Sequence, residues 1–135
     1  VTIENYDRFK ESLPDWAMLK GCWGNTRIAP TDIDGCVERN GTCLFLEHKG
    51  PGKNGEIVWP KEGQRLTFLT LARQGNTVIV VCTHGGDHTQ PGYVRQMMIF
   101  RPGGSTDGIQ AATLADLRRE VAAWFQWASG LKGRE

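Results

Sequence analysis

Asp34 and Glu47 are separated by twelve residues, and Lys49 follows the glutamate by two. Two carboxylates and an ammonium can do joint chemistry only if the chain folds back between them. The intervening stretch contains Asn40-Gly41, the strongest short hairpin signal, because a type I′ turn needs φ > 0 at both central residues. With that pair as the turn, Asp34 faces Glu47 and Asp32 faces Lys49. Directly opposed residues of an antiparallel pair share a face, with Cβ atoms about 5 Å apart. Facing carboxylates repel, and the arrangement persists best with a cation between them. All-oxygen donors select hard ions such as Mg²⁺ or Mn²⁺. Such an ion lowers the pKa of a bound water and stabilises charge on a phosphoryl oxygen. A neighbouring ammonium orients that water or neutralises developing charge. The chemistry this suits is phosphodiester hydrolysis. A solvated strand face laced with salt bridges is the competing reading. It accounts for Asp32 opposite Lys49, but not for Asp34 opposite Glu47.

The elements that position these residues follow from pattern. Ile33, Val37, Leu44 and Leu46 alternate with the charged positions and read as the packed face of the hairpin. Ahead of it, Ile3, Tyr6, Phe9 and Leu13 form one stripe of an amphipathic helix that ends near Pro14. The stretch Ala17–Gly24 is ambiguous and could be a short strand. After the hairpin, residues 51–63 read as loop. Leu66, Leu69, Thr70 and Arg73 lie at helical spacing, with Gly75 as the stop. Residues 76–84 are continuously apolar and β-branched, which predicts a buried strand. His84, Asp87 and His88 lie in a glycine-rich loop, read as surface loop in preference to a second metal site. Residues 93–100 predict another strand. Thr113 caps the clearest helix, with Asp116 three residues later and Leu114, Leu117, Val121, Trp124, Phe125 and Ala128 on its core face. Arg118 and Arg119 fall on its exposed face, and Trp127 is the candidate contact of a possible homodimer.

Length and composition bound the rest. The chain has 135 residues and reads as a single domain, 1–135. No apolar run approaches the ~20 residues of a membrane helix, and the first residues do not resemble a signal peptide. Cys22, Cys36, Cys43 and Cys82 show no CxxC pairing, which disfavours zinc and suits reduced thiols in a cytoplasmic protein. Residues 1–47 hold eight acids against five bases, a charge of −3; residues 48–135 hold seven against eleven, +4. With the acids around Glu47 neutralised by a metal, the remaining surface is moderately basic. That permits nucleic-acid binding. Lys49, Lys53, Lys61, Arg65, Arg73, Arg95 and Arg101 are the expected phosphate-contacting rim.

The motif "TDID", twelve residues, then "EHK" resembles the D…(D/E)xK signature of the PD-(D/E)XK, or restriction-endonuclease-like, nuclease superfamily, in order, spacing and hairpin context. "PTDIDG" followed by "LFLEHKG" is similar to the wording of its small phage and bacterial members. The resemblance covers residues 25 to about 83 well and the last third poorly. It implies that Asp34 and Glu47 hold the metal with help from the backbone carbonyl of His48, and that Lys49 is the catalytic lysine. It also implies that Gln64, on the following helix, faces the site. Asp32 stands where the motif's first acid could also be read, and Glu4 or Glu11 could add an acid from the first helix.

The expectation is therefore an α/β restriction-endonuclease-like core, a central mixed sheet flanked by helices, with the site on an antiparallel hairpin. Its function would be Mg²⁺- or Mn²⁺-dependent hydrolysis of DNA, with RNA as another possible substrate, structure-selective or non-specific. Asp34, Glu47, Lys49 and Gln64 would be catalytic, and Asp32, Lys53 and Arg65 would bind substrate. The rival is the same fold without turnover, a nucleic-acid-binding or protein-interaction module.

Overall fold

Asn40 and Gly41 take φ of 51° and 88°, the left-handed pair a type I′ turn requires. They join β1 (Gly35–Arg39) to β2 (Thr42–Lys49). The strands pair antiparallel from Arg39↔Thr42 to Gly35↔Leu46, the register expected from the turn. The structure is a computed structural model that describes residues 15–54 and 59–132. The helix expected over Ile3–Leu13, with Glu4 and Glu11, lies outside the described residues.

The chain divides into two units, Val1–Thr31 and Asp32–Glu135. In the first, Asp15 caps a short 3-10 helix, Trp16–Leu19, by accepting from the Ala17 N–H at 3.0 Å. The stretch weighed as a strand is thus a helical turn followed by further turns. Gly21 and Gly24 hold φ of 91° and 65°, outside the extended region a strand needs.

In the second unit the hairpin leads into α1 (Glu62–Arg73), β3 (Thr77–Thr83), β4 (Val94–Phe100), β5 (Thr106–Ala111) and α2 (Leu114–Ser129). The strands form one sheet in the order β1-β2-β3-β4-β5. β2 and β3 run parallel with α1 as the crossover, and the other neighbours are antiparallel. The fold is α/β, with a five-stranded mixed sheet and two helices. Every residue of β3 is buried, as its β-branched run predicts.

The two sheet faces carry separate cores. Phe68 and Ala72 of α1 pack on Val78, Val80 and Phe100. Trp124 and Ala128 of α2 pack on Leu44, Ile79, Val81, Met97 and Ile99. Strand β2 packs on both faces, because Phe45, between Leu44 and Leu46, joins the α1 core, whereas β1 is an exposed edge and Val37, expected on the packed face, is 45% exposed. Ile33 belongs to the α1 core as well and not with Leu44 and Leu46. It precedes the last ladder pair at Gly35, so strand alternation no longer sets its direction.

Tertiary packing also moved the helix stripes. The buried positions of α1 are Phe68 and Ala72, while Leu66 is 50% exposed. On α2, Trp124 and Ala128 are buried, whereas Phe125 is 46% exposed beneath the Arg39 guanidinium. Leu114 lies at the helix start and is 36% exposed. Strand β5 escaped the sequence pattern because Gly108 sits inside it at φ 77° and its pairing with β4 slips. The Pro102-Gly103-Gly104 turn was its available signal.

Candidate functional site

The site forms where β2 and β3 end. The ladder stops one residue short of Asp34, and the Asp34 carboxylate caps the open end: its Oδ2 accepts from the His48 N–H at 2.7 Å. A strand residue sends its N–H and C=O to the same flank, so the His48 carbonyl faces the Asp34 side. The His48 ring lies on the opposite face, where Nε2 meets Thr83 Oγ1 at 2.9 Å.

Glu47 lies opposite Val80 on the α1 face and is only 4% exposed. Its Oε2 accepts from Gln64 Nε2 and lies 3.2 Å from Lys49 Nζ. Its Oε1 is buried and has no hydrogen-bond partner. Burial pushes the Glu47 carboxyl above the ordinary carboxylate value, and the adjoining Asp34 carboxyl pushes it further, against the pull of Lys49. A buried acceptor left unpaired costs about 1–3 kcal/mol. Two converging carboxylates, one with an orphaned oxygen, are the donor set that a hard cation would satisfy. The residues present therefore fit Mg²⁺ or Mn²⁺, held by Asp34, Glu47 and the His48 carbonyl.

Gln64 is brought in by the first turn of α1, whose start at Glu62 follows Lys61. Its Nε2 also lies 3.4 Å from the Asp32 carbonyl oxygen. Asp32 itself does not extend the ladder opposite Lys49, because pairing ends at Gly35. The ammonium of Lys49 pairs instead with Glu47 on its own strand. Lys53, in the loop after β2, and Arg65, beside Gln64, are exposed. Thr83, Cys82 and Gln96 stand beside His48 and Lys49 at this end of the sheet, and no motif in the sequence marks them. Cys82 stands between Lys49 and Gln96 in register across three strands.

Two members of the expected basic rim lie elsewhere. Arg73 closes α1 and packs beside Gly104. Arg101 follows β4 and is ion-paired to Asp107 at 3.1 Å and Glu120 at 3.6 Å. Both sit at the end of the sheet away from Glu47. In the loop after β3, His84 and His88 set their rings edge-on to Tyr93, and Asp87 Oδ1 accepts from the Thr89 N–H at 2.9 Å. Among the described residues no group of three or more His, Cys, Asp or Glu side chains is gathered to hold a metal. All four thiols are free; Cys82 is buried, and Cys22 and Cys36 are exposed.

No helix among the described residues is long and apolar enough to cross a membrane. Compared with protein-family models, curated proteins and solved structures, the chain matches none.

Proposed function

We propose that this chain is a Mg²⁺- or Mn²⁺-dependent endonuclease of the PD-(D/E)XK type that hydrolyses DNA phosphodiester bonds. One observation carries the reading: Glu47 is a buried carboxylate with an unpartnered oxygen, beside Asp34 and 3.2 Å from Lys49. Buried polar atoms are nearly always hydrogen-bonded in native proteins, so an open acceptor beside a second carboxylate favours a cation as its partner. The order of antiparallel hairpin, helix and parallel strand is compatible with the restriction-endonuclease-like core.

The residues divide the work. The His48 N–H fixes Asp34, and Gln64 fixes the orientation of Glu47. A bound divalent ion would supply an acidified water and take up charge on a phosphoryl oxygen. The Lys49 side chain remains 22% exposed, so its ammonium can donate to that oxygen or hold the attacking water while Glu47 anchors it.

The test is incubation of purified protein with single-stranded, duplex and branched DNA, and with RNA, under Mg²⁺, Mn²⁺, Ca²⁺ or EDTA. Cleavage of DNA with Mg²⁺ or Mn²⁺, and none with EDTA, is expected. Undiminished cleavage in EDTA rejects the site. Binding of DNA without turnover under either metal would identify a non-catalytic module instead.

A further inference from the structure

Strand β4 departs from regular pairing beside the site. Cys82 pairs with Gln96, but the next residue, Thr83, pairs with Val94. Arg95 is therefore an extra residue with no partner on β3, which defines a β-bulge. The neighbouring side chains show what the bulge does. Val94 and Met97 are buried in the α2-side core, whereas Met98 packs on the α1 side. Alternation from Met98 puts Gln96 on the α1 side, the face that carries Glu47 and Lys49. Regular alternation would put Val94 and Gln96 on one face. The bulge lets Val94 enter the core while Gln96 stays on the site face, and Arg95 absorbs the change.

Two observations place these residues at the site, and a third fixes the bulge. Gln96, Cys82 and Lys49 form one row across β4, β3 and β2, so Gln96 and Lys49 are two strand spacings apart, about 10 Å. Burial pushes the Cys82 thiol up, and the charges of Lys49 and Arg95 both pull against it; both cations thus act on the same atom. The bulge is also anchored from its other edge, since the Arg95 carbonyl accepts from the Ala112 N–H at 3.0 Å. Arg95 is exposed. A bulge beside a site re-aims a side chain, and a guanidinium with its fixed fork suits a phosphate.

We propose that Arg95, with Gln96 beside it, forms a clamp for a backbone phosphate of the substrate strand next to the one that is cut. This rests on the nuclease reading above. Arg95 would bind substrate without touching the reacting atoms, and Gln96 would donate to the same phosphate or its sugar.

The experiment measures binding of a labelled DNA duplex in Ca²⁺ across a KCl series, and cleavage kinetics in Mg²⁺, for wild type, Arg95→Ala, Arg95→Lys, Gln96→Ala and Arg118→Ala. For Arg95→Ala, the slope of log K against log salt should flatten by about 0.9, one phosphate's worth. KM should rise about ten- to hundred-fold, the range for a hydrogen bond to a charged group, with a much smaller change in kcat. Arg95→Lys should keep the slope and lose part of the affinity, because the point charge remains but the fork does not. Gln96→Ala should raise KM without changing the slope. Arg118→Ala, on the exposed face of α2, should match wild type. Melting curves check that each variant is folded. If wild type cuts DNA and Arg95→Ala keeps its slope and KM, the clamp is wrong and the nuclease reading stands. If wild type neither binds nor cuts DNA, the nuclease reading fails and takes the clamp with it.

Discussion

At the scale of single residues, Glu47 is held in an unfavourable state. Its folded pKa is raised by burial and by Asp34. Below the ordinary carboxylate value it is protonated in both folded and unfolded chains and contributes no pH dependence. As pH rises through the window from that value to the raised one, the unfolded chain loses its proton first, and stability falls. Metal-free protein should therefore lose melting temperature across this window, and Glu47→Gln should remove that part of the slope. A Glu47→Gln profile parallel to wild type would disprove the strained carboxylate. Two unit charges 5 Å apart repel by about 3 kcal/mol at an effective dielectric near 20, and by about 1 kcal/mol once solvent screens the exposed Asp34. Asp34→Asn keeps an oxygen for the His48 N–H and relieves this repulsion. Both amide variants should melt at or slightly above wild type without metal and lose the rise that Mg²⁺ induces. Both should lose cleavage by about 10²-fold or more. Lys49→Ala should abolish cleavage too, yet retain the metal-induced rise and melt lower without metal, because Glu47 loses its counter-charge. Paired melting curves with and without Mg²⁺ separate these outcomes, and an Asp34→Asn variant that melts well below wild type would mark a structural ion-pair network.

At the scale of elements, the hairpin turn is fastened to the last helix. Asn40 supplies the positive φ, and its side-chain Nδ2 donates to the Ala128 carbonyl at 3.1 Å and lies 3.4 Å from that of Ser129. One residue thus sets the turn and ties it to the carboxyl end of α2, where the Ala128 carbonyl also accepts from the Leu131 N–H at 3.2 Å. Asn40→Gly keeps the conformation and loses these bonds, at about 1 kcal/mol. Asn40→Ala loses both the bonds and the relaxed backbone, and should cost about 1 kcal/mol more. Urea unfolding should rank wild type above Asn40→Gly above Asn40→Ala; equal stability of the two variants would remove the backbone from the explanation. At the other end of α2, Thr113 and Asp116 form a reciprocal capping box. Thr113→Ala should cost about 1 kcal/mol, a fall in melting temperature of about 4 °C, while the response to Mg²⁺ is unchanged.

At the scale of the whole molecule, charge is separated along the chain, with −3 over residues 1–47 and +4 over 48–135. The structure narrows which bases can meet a substrate at the site. Lys49, Lys61 and Arg65 lie on β2 or at the start of α1, and Arg95 lies on the bulge, whereas Arg101 is engaged with Asp107 and Glu120 at the far end of the sheet. With Lys53 in the adjoining loop, four or five phosphate contacts are expected. Each contributes about −0.9 to the slope of log K against log salt, so duplex binding should show a slope of roughly −4. Arg101→Ala should leave that slope unchanged and lower stability slightly. A salt-independent affinity would remove the phosphate rim. Trp127 is 45% exposed and lines a groove of about 400 Å³ with Trp124, Ile79 and Ile99.

Some of this architecture was legible without any coordinates. Asn40-Gly41 determined the turn, the turn determined the register, and the register brought Asp34 to the end of the ladder beside Glu47. Thr113 and Asp116 marked the start of α2, and the β-branched run marked β3 as buried. These signals act over a few residues, through backbone φ, periodicity and capping, so sequence carries them directly. Other features were decided only by the tertiary structure. The burial of Glu47 and its bond from Gln64 require α1 to pack across the sheet. The face taken by Ile33, the exposure of Leu66 and Phe125, and strand β5 around Gly108 each depend on which partner surface was available. The place of Arg95 as the extra residue of β4 depends on where β4 slips against β3. In all of these, several faces of a short segment are equally open to it, and contacts with residues distant in the chain select one.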